Sequence, residues 1–147
     1  MTTIPANAAG WPAGPYLVSV EVTSTTAGAQ KRRIVRTSAE APLALAPSID
    51  ENPAEALIDR EGRATITLKC TPTVWPAQRA SLLFAMQEFV AEPLKRKGKV
   101  LSVDVAGIEP GTYPIRLRVQ GVDSLLVDRS VRPPVYRNQV AVLRDAP

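Results

Sequence analysis

Histidine is absent from the chain, and cysteine occurs once, at Cys70. Without histidine the commonest general base is missing, and with it the Ser/His and Cys/His nucleophile pairs and the commonest metal ligand. No arrangement of carboxylates or lysines stands out in their place, so the reading is a non-enzymatic protein with no cofactor and no metal. One thiol forms no internal disulfide and builds no zinc site by itself. A reducing cytoplasm and a disulfide-free exported assembly both fit that count. Aromatic residues are scarce, at 5%. No apolar run approaches the roughly 18–20 residues of a membrane span. The opening "MTTIPANAAGWPAGP" has neither the basic region nor the continuous apolar stretch of a signal peptide. Neither a signal nor a membrane span is therefore expected.

What is present suits a globular domain. The 147 residues are 45% hydrophobic and 22% charged, enough for one ordinary domain with its own core. The net charge of +4 gives a mild attraction to acidic surfaces. It is too modest to name nucleic acid as a partner. Fourteen prolines punctuate the chain, and the apolar segments between them are short. That rhythm predicts an all-β protein. "YLVSVEV", "KRRIVRT", "APLALAP", "ATITLKC", "KVLSVDVAGI", "TYPIRLRV", "DSLLVD" and "NQVAVLR" read as strands. In "ATITLKC", Ala64, Ile66, Leu68 and Cys70 point inward; in "KVLSVDVAGI", Leu101, Val103 and Val105 do. Ala80–Met86 is read as a strand with Leu82, Phe84 and Met86 inward, while Gln87–Leu94 stays open between strand and helix.

The chain repeats itself. "GPYLVSVEV" (Gly14–Val22) aligns with "GTYPIRLRV" (Gly111–Val119): Gly14 with Gly111, Tyr16 with Tyr113, Val18 with Ile115, Val20 with Leu117 and Val22 with Val119. The second copy comes late in its module and the first has no strands before it. Residues 1–47 then read as a partial module of two strands and a linker, and residues 48–147 as a complete one. A lone strand pair is marginal in water, so the first part is expected to pack on the module or on another chain. About seven strands in a hundred residues suit an immunoglobulin-like β-sandwich. Tyr113 stands where that fold has its tyrosine corner, and Cys70 and Ile115 where an antibody domain has its two cysteines. The fold expected is an all-β immunoglobulin-like (IPT/TIG-like) sandwich with an extra N-terminal strand pair.

The strings "PAGPYLVSVEV", "RTSAEAPLALAPSID", "TVWPAQRASLLF" and "GIEPGTYPIRLRVQGVDSLLV" resemble the C-terminal immunoglobulin-like part of tail-cap proteins of phage-tail-like contractile injection systems. The Photorhabdus virulence cassettes and the antifeeding prophage are examples. That family repeats a pattern G-x-Y-x-V-R-x-R-V-x-G-V-x-S. Gly111, Tyr113, Ile115, Arg116, Arg118, Val119, Gly121, Val122 and Ser124 match it. The family's P-G-Q turn appears as Pro76-Ala77-Gln78, without its glycine. The family's N-terminal α/β assembly domain is not visible. The resemblance implies a structural cap or adaptor component, assembled with other protein subunits into a particle in the bacterial cytoplasm, with a homo-oligomer as one arrangement.

Two basic runs are candidate partner contacts. Lys95, Arg96, Lys97 and Lys99 fall in "LKRKGK", read either as a docking loop for an acidic surface or as a solvated turn built on Gly98. Arg32, Arg33 and Arg36 fall in "KRRIVR", which reads equally as a charged edge strand. No aromatic residues interleave with either run, so stacking on bases is unsupported. Arg132 and Arg137 flank "PPVY", read as a loop or a proline-broken edge strand. Ser48–Arg63 is acidic but lacks a calcium-loop arrangement, and reads as a linker with a short helix over "PAEALID". Trp11 and Trp75 are read as caps on the core, with exposed sugar-binding rings as the alternative. An alternative function is therefore a carbohydrate- or surface-binding module.

Overall fold

A computed structural model of the chain describes residues 10–26 and 33–147. Its regular elements are all β-strands. The N-terminal part holds β1 (Gly14–Val18), β2 (Glu21–Thr25), β3 (Arg33–Thr37) and β4 (Ala41–Leu45). Then come β5 (Ser48–Ile49), β6 (Ala54–Ile58) and the long β7 (Arg63–Val74). β8 (Ala80–Phe84), β9 (Gln87–Val90), β10 (Gly98–Ala106) and β11 (Gly111–Val119) follow. Three short pieces, β12 (Val122–Asp123), β13 (Val127–Asp128) and β14 (Val135–Tyr136), precede β15 (Val140–Asp145).

Two sheets carry the core. One has the order β10–β7–β5; the other runs β6–β15–β11–β8–β9, with β12 added to the end of β11. Every pairing is antiparallel except that of β6 with β15. Alternation explains why these strands pair as they do. Ala64, Ile66 and Leu68 on β7 stand opposite Val105, Val103 and Leu101 on β10, and all six are buried. Leu82 and Phe84 on β8 stand opposite Leu117 and Ile115 on β11. Ala141 and Leu143 of β15 join them in one continuous cluster with the β7 and β10 side chains. Each large aliphatic chain so covered contributes about 1.5–3 kcal/mol. The Phe84 ring packs against Tyr113 and Phe89, at centroid distances of 4.9 and 6.0 Å. Cys70 lies in this core, where burial first, and Asp50 second, push its thiol up to about 11, with Lys99 opposing.

Several local expectations are corrected. β7 does not stop at Pro72 but runs on to Val74. The reason is a bulge: residues 70–73 of β7 stand opposite the single Lys99 of β10, so Pro72 needs no ladder donor there. "PAEALID" is strand β6, not a helix, because pairing with β15 overrides its helical composition and buries Ala54 and Ile58. "DSLLVD" is not one strand. Ser124 interrupts it, turning inward so that its N–H donates to the Leu117 carbonyl at 2.7 Å and its Oγ accepts from the Leu117 N–H at 3.1 Å. Gly98 is no turn residue; it opens β10. Ala77 needs no glycine substitute: Gln78 N–H donates to the Trp75 carbonyl at 2.9 Å across a turn whose central residues keep negative φ.

Met86 is the largest correction. The strand predicted to reach it ends at Phe84, and Gln87–Val90 returns as β9. Ala85 and Met86 form the two-residue hairpin tip with φ of 48° and 64°, and Met86 is fully exposed (104%) rather than inward. A turn of this hand matches the twist of its strands but wants glycine or asparagine, since a Cβ at such a φ costs about 1–2 kcal/mol. Met86→Gly removes that cost without emptying any core space. It is expected to raise the urea midpoint by the equivalent of about 1 kcal/mol at unchanged m-value; an unchanged or lower midpoint contradicts this account.

Candidate interaction surface

The repeat read from the sequence has a geometric counterpart. The Tyr113 hydroxyl donates to the Glu109 carbonyl at 2.9 Å, and the Tyr16 hydroxyl donates to the Pro12 carbonyl, four residues upstream in both cases. In β11 the glycine opens this corner: a Cβ on Gly111 would lie 3.2 Å from Cε2 of the Tyr113 ring. Gly14 meets no such contact but holds a φ of 147°, so the two glycines serve different needs. Both strands then pair with a later one in the same register. Gly111 faces Leu143 and Tyr113 faces Ala141; Gly14 faces Leu45 and Tyr16 faces Leu43.

From there the copies diverge. β11 is covered on its other edge by β8, and β15 by β6. Among the described residues the N-terminal strands form two-stranded ladders only, β1 with β4 and β2 with β3. The consequence is read in exposure. Val20 and Val22 are 54% and 53% exposed, whereas their counterparts Leu117 and Val119 are at 0%. Leu43 is 44% exposed, against 0% for Ala141. A face with the alternation of a core strand is thus left uncovered beside an open strand edge. The root of this hairpin is tied to the rest of the chain. Ala13 is buried in the main core, and the Gln78 side-chain amide donates to its carbonyl at 2.6 Å while its Oε1 accepts from the Trp75 N–H at 3.0 Å.

The basic candidates fall in two places. Arg33 and Arg36 lie exposed on β3, at the far end of the hairpin; Arg32 lies outside the described residues. Lys95, Arg96 and Lys97 are exposed in the connection from β9 to β10, and Lys99 is exposed near the start of β10. Arg33 and Arg36 belong to the β2–β3 ladder, and Lys99 to the β10–β7–β5 sheet. None of these six described residues has an ion-pair partner among the described residues. Trp11 and Trp75 are 39% and 46% exposed, so neither caps the core as expected. Trp11 rests on Tyr16 with centroids 5.1 Å apart, at the base of the hairpin.

Arg116 and Arg118 are occupied within the protein itself. On the outer face of the larger sheet, Arg118 grips Asp123 through Nε at 2.6 Å and also meets Glu88 at 3.2 Å. Arg116 reaches the second oxygen of Asp123 at 3.2 Å, and the Ser81 hydroxyl donates to Glu88 at 2.6 Å. β8, β9, β11 and β12 are thereby clamped together. The alternation of β11 foretold that both arginines face outward, but not that their partners are Asp123 of β12 and Glu88 of β9. Next to this clamp, an open groove of about 770 Å³ lies between the hairpin tip at Met86 and the side chains of Tyr113, Leu126 and Tyr136. Among the described residues no group of acidic or cysteine side chains could hold a metal ion, and no helix is long and apolar enough to cross a membrane.

Residues 47–143 match the family model of a domain of unknown function (DUF8756). No curated protein and no solved structure matches the chain.

The clamp has a pH signature. The hydrogen bond from Arg118 holds the Asp123 carboxyl below the usual carboxylate range; partial burial opposes this, and the charge of Arg116 adds to it. A carboxyl depressed in the folded state contributes stability that is complete above the unfolded value of about 3.9 and is lost as pH falls through the folded one. Asp123→Asn is therefore expected to cost about 1 kcal/mol at pH 7, a figure lowered for solvent screening. Denaturant titrations at pH 7 and below pH 3 check it. Equal stability at pH 7, or a loss that persists unchanged at the acid end, contradicts the assignment.

Proposed function

We propose that this chain, which belongs to the DUF8756 family of domains of unknown function, is a non-enzymatic structural protein: a cap or adaptor component of a phage-tail-like contractile injection particle. The observation that carries an assembly role is the uncovered N-terminal hairpin. An apolar strand face of this kind, with core alternation and open edges, is unusual on a monomer and marks a surface meant to be covered. The particle itself is taken from the resemblance of the strings around Tyr16, Pro76 and Tyr113 to tail-cap proteins, which also implies assembly in the bacterial cytoplasm with other protein subunits.

The fold assigned to this role is an immunoglobulin-like sandwich of the IPT/TIG kind. Strand order supports it. β5, β7 and β10 correspond to strands A, B and E of such a fold, and β15, β11, β8 and β9 to G, F, C and C′. The tyrosine corner at the start of β11 agrees with this lettering. The outward arginines of β11 contribute to holding that sheet together rather than to reading a ligand.

Particle fractionation tests the function. With the chain tagged in its native cell, it is expected to sediment with contractile particles and to label one end of their tubes in electron microscopy. Recovery only as free protein, from cells that assemble such particles, overturns the proposal. A second reading, binding of a carbohydrate surface, is favoured by the half-exposed rings of Trp11 and Trp75. It requires binding on a glycan array that Trp11→Ala or Trp75→Ala abolishes; an array without signal removes it.

A further inference from the structure

We propose that the open edge of β1 and β2, with the apolar face beside it, is the docking site for a partner protein that supplies an immunoglobulin-like module lacking its own last strand pair. We infer further that this partner presents a basic side chain where β9 presents Glu88. The inference rests on the assembly reading above, but not on which particle the chain joins.

The chain contains its own template for the missing cover. On β11 the equivalent edge is filled by β8, which sets Phe84, Leu82 and Ala80 opposite Ile115, Leu117 and Val119. By the repeat, these three positions are Val18, Val20 and Val22 in the first copy. Among the described residues, all pairing of β1 and β2 runs to β4 and β3, on one side only, so no described strand takes the edge that β8 takes on β11. A strand added there satisfies backbone donors and acceptors, and alternate small and large apolar side chains on it cover Val18, Val20 and Val22. Both the backbone pairing and the apolar alternation that the occupant must have are thus written in β8.

Charge separates this partner from a second copy of the same chain. On the outer face, the repeat sets Ser19 in the place of Arg116 and Glu21 in the place of Arg118. Arg118 meets Glu88 at 3.2 Å. Glu21 is exposed and has no ion-pair partner among the described residues. β8 of another copy is already bonded along both edges, to β11 and β9, and is not free to take this one. A β8–β9 pair of the same sequence would moreover bring Glu88 near Glu21, and like charges on neighbouring strands repel. A lysine or arginine at that position turns the repulsion into attraction. The filled edges of β8 and the inversion of one charge together favour a different protein over the β8–β9 pair of a second copy.

The test uses the full chain and two dye-labelled synthetic peptides spanning residues 79–91, one with the natural sequence and one with Glu88→Lys. Fluorescence anisotropy is expected to show binding of the Glu88→Lys peptide about fivefold or more tighter than the natural one. The full-length Glu21→Lys variant is expected to reverse that preference, and Val20→Asn to weaken both peptides while circular dichroism stays unchanged. Failure of both peptides to bind, equal binding of the two, or a preference that Glu21→Lys does not move overturns the proposal. So does concentration-dependent dimerisation of the chain that Val20→Asn abolishes, since a second copy then takes the edge. The sedimentation result is independent: a chain found in particles whose hairpin binds neither peptide keeps its function and loses this partner assignment.

Discussion

β11 is bonded along both edges, and the rest of the larger sheet is arranged around that fact. β8 takes one edge from Ile115 to Val119, and β15 the other from Gly111 to Pro114. The period-two alternation of this central strand sends Ile115, Leu117 and Val119 into the core and Arg116 and Arg118 outward. Ser124 then completes the ladder where β15 no longer reaches, its backbone and hydroxyl taking both polar groups of Leu117. The outward arginines become useful for the same reason. Held by the alternation of a central strand, they meet Asp123 and Glu88 from neighbouring strands and tie the sheet on the side away from the core.

The N-terminal copy of the same strand isolates what neighbours contribute. Its tyrosine makes the same corner, and its register with the following strand is the same. Local sequence is sufficient for the corner, since the hydroxyl bonds only four residues upstream; the register joins strands far apart in the chain, and both copies reach it alike. Burial is different. Val20 and Leu117 are equivalent by alignment, yet one is half exposed and the other is sealed. Hydrophobicity states a preference for cover, and only another strand or sheet provides it. This contrast is why the hairpin, rather than the basic loops, is the better candidate for the site through which the chain works. Lys95, Arg96 and Lys97 lie exposed in a loop, whereas Val18, Val20 and Val22 lie in line along a strand edge.

The readings that failed did so for physical reasons of the same sort. "PAEALID" has the composition of a helix, and i, i+4 burial of Ala54 and Ile58 is compatible with either state; the parallel partner β15 decides for strand. Met86 continues a perfect alternation from Leu82 and Phe84, but a hairpin tip falls between them and turns it into solvent. Pro72 punctuates the sequence without ending β7, because a bulge excuses its missing donor. Trp11 and Trp75 were expected to close the core by the general habit of aromatic side chains, and both sit at turns where aliphatic residues have already filled it.

By itself the sequence determined the all-β class, the inward faces of β7, β10 and β11, the tyrosine corner and the repeat. Each of these rests on period-two alternation or on contacts within a few residues, and such information is local. Only the tertiary structure decided that Asp123 and Glu88 neutralise the two arginines of β11, that β6 is a strand, and that Val20 and Val22 stand uncovered. Those outcomes depend on which strand lies alongside, the nearby β12 for Asp123 and more remote strands for the others. Spacing along the chain does not record it, because pairing free energy arises between segments and not within them.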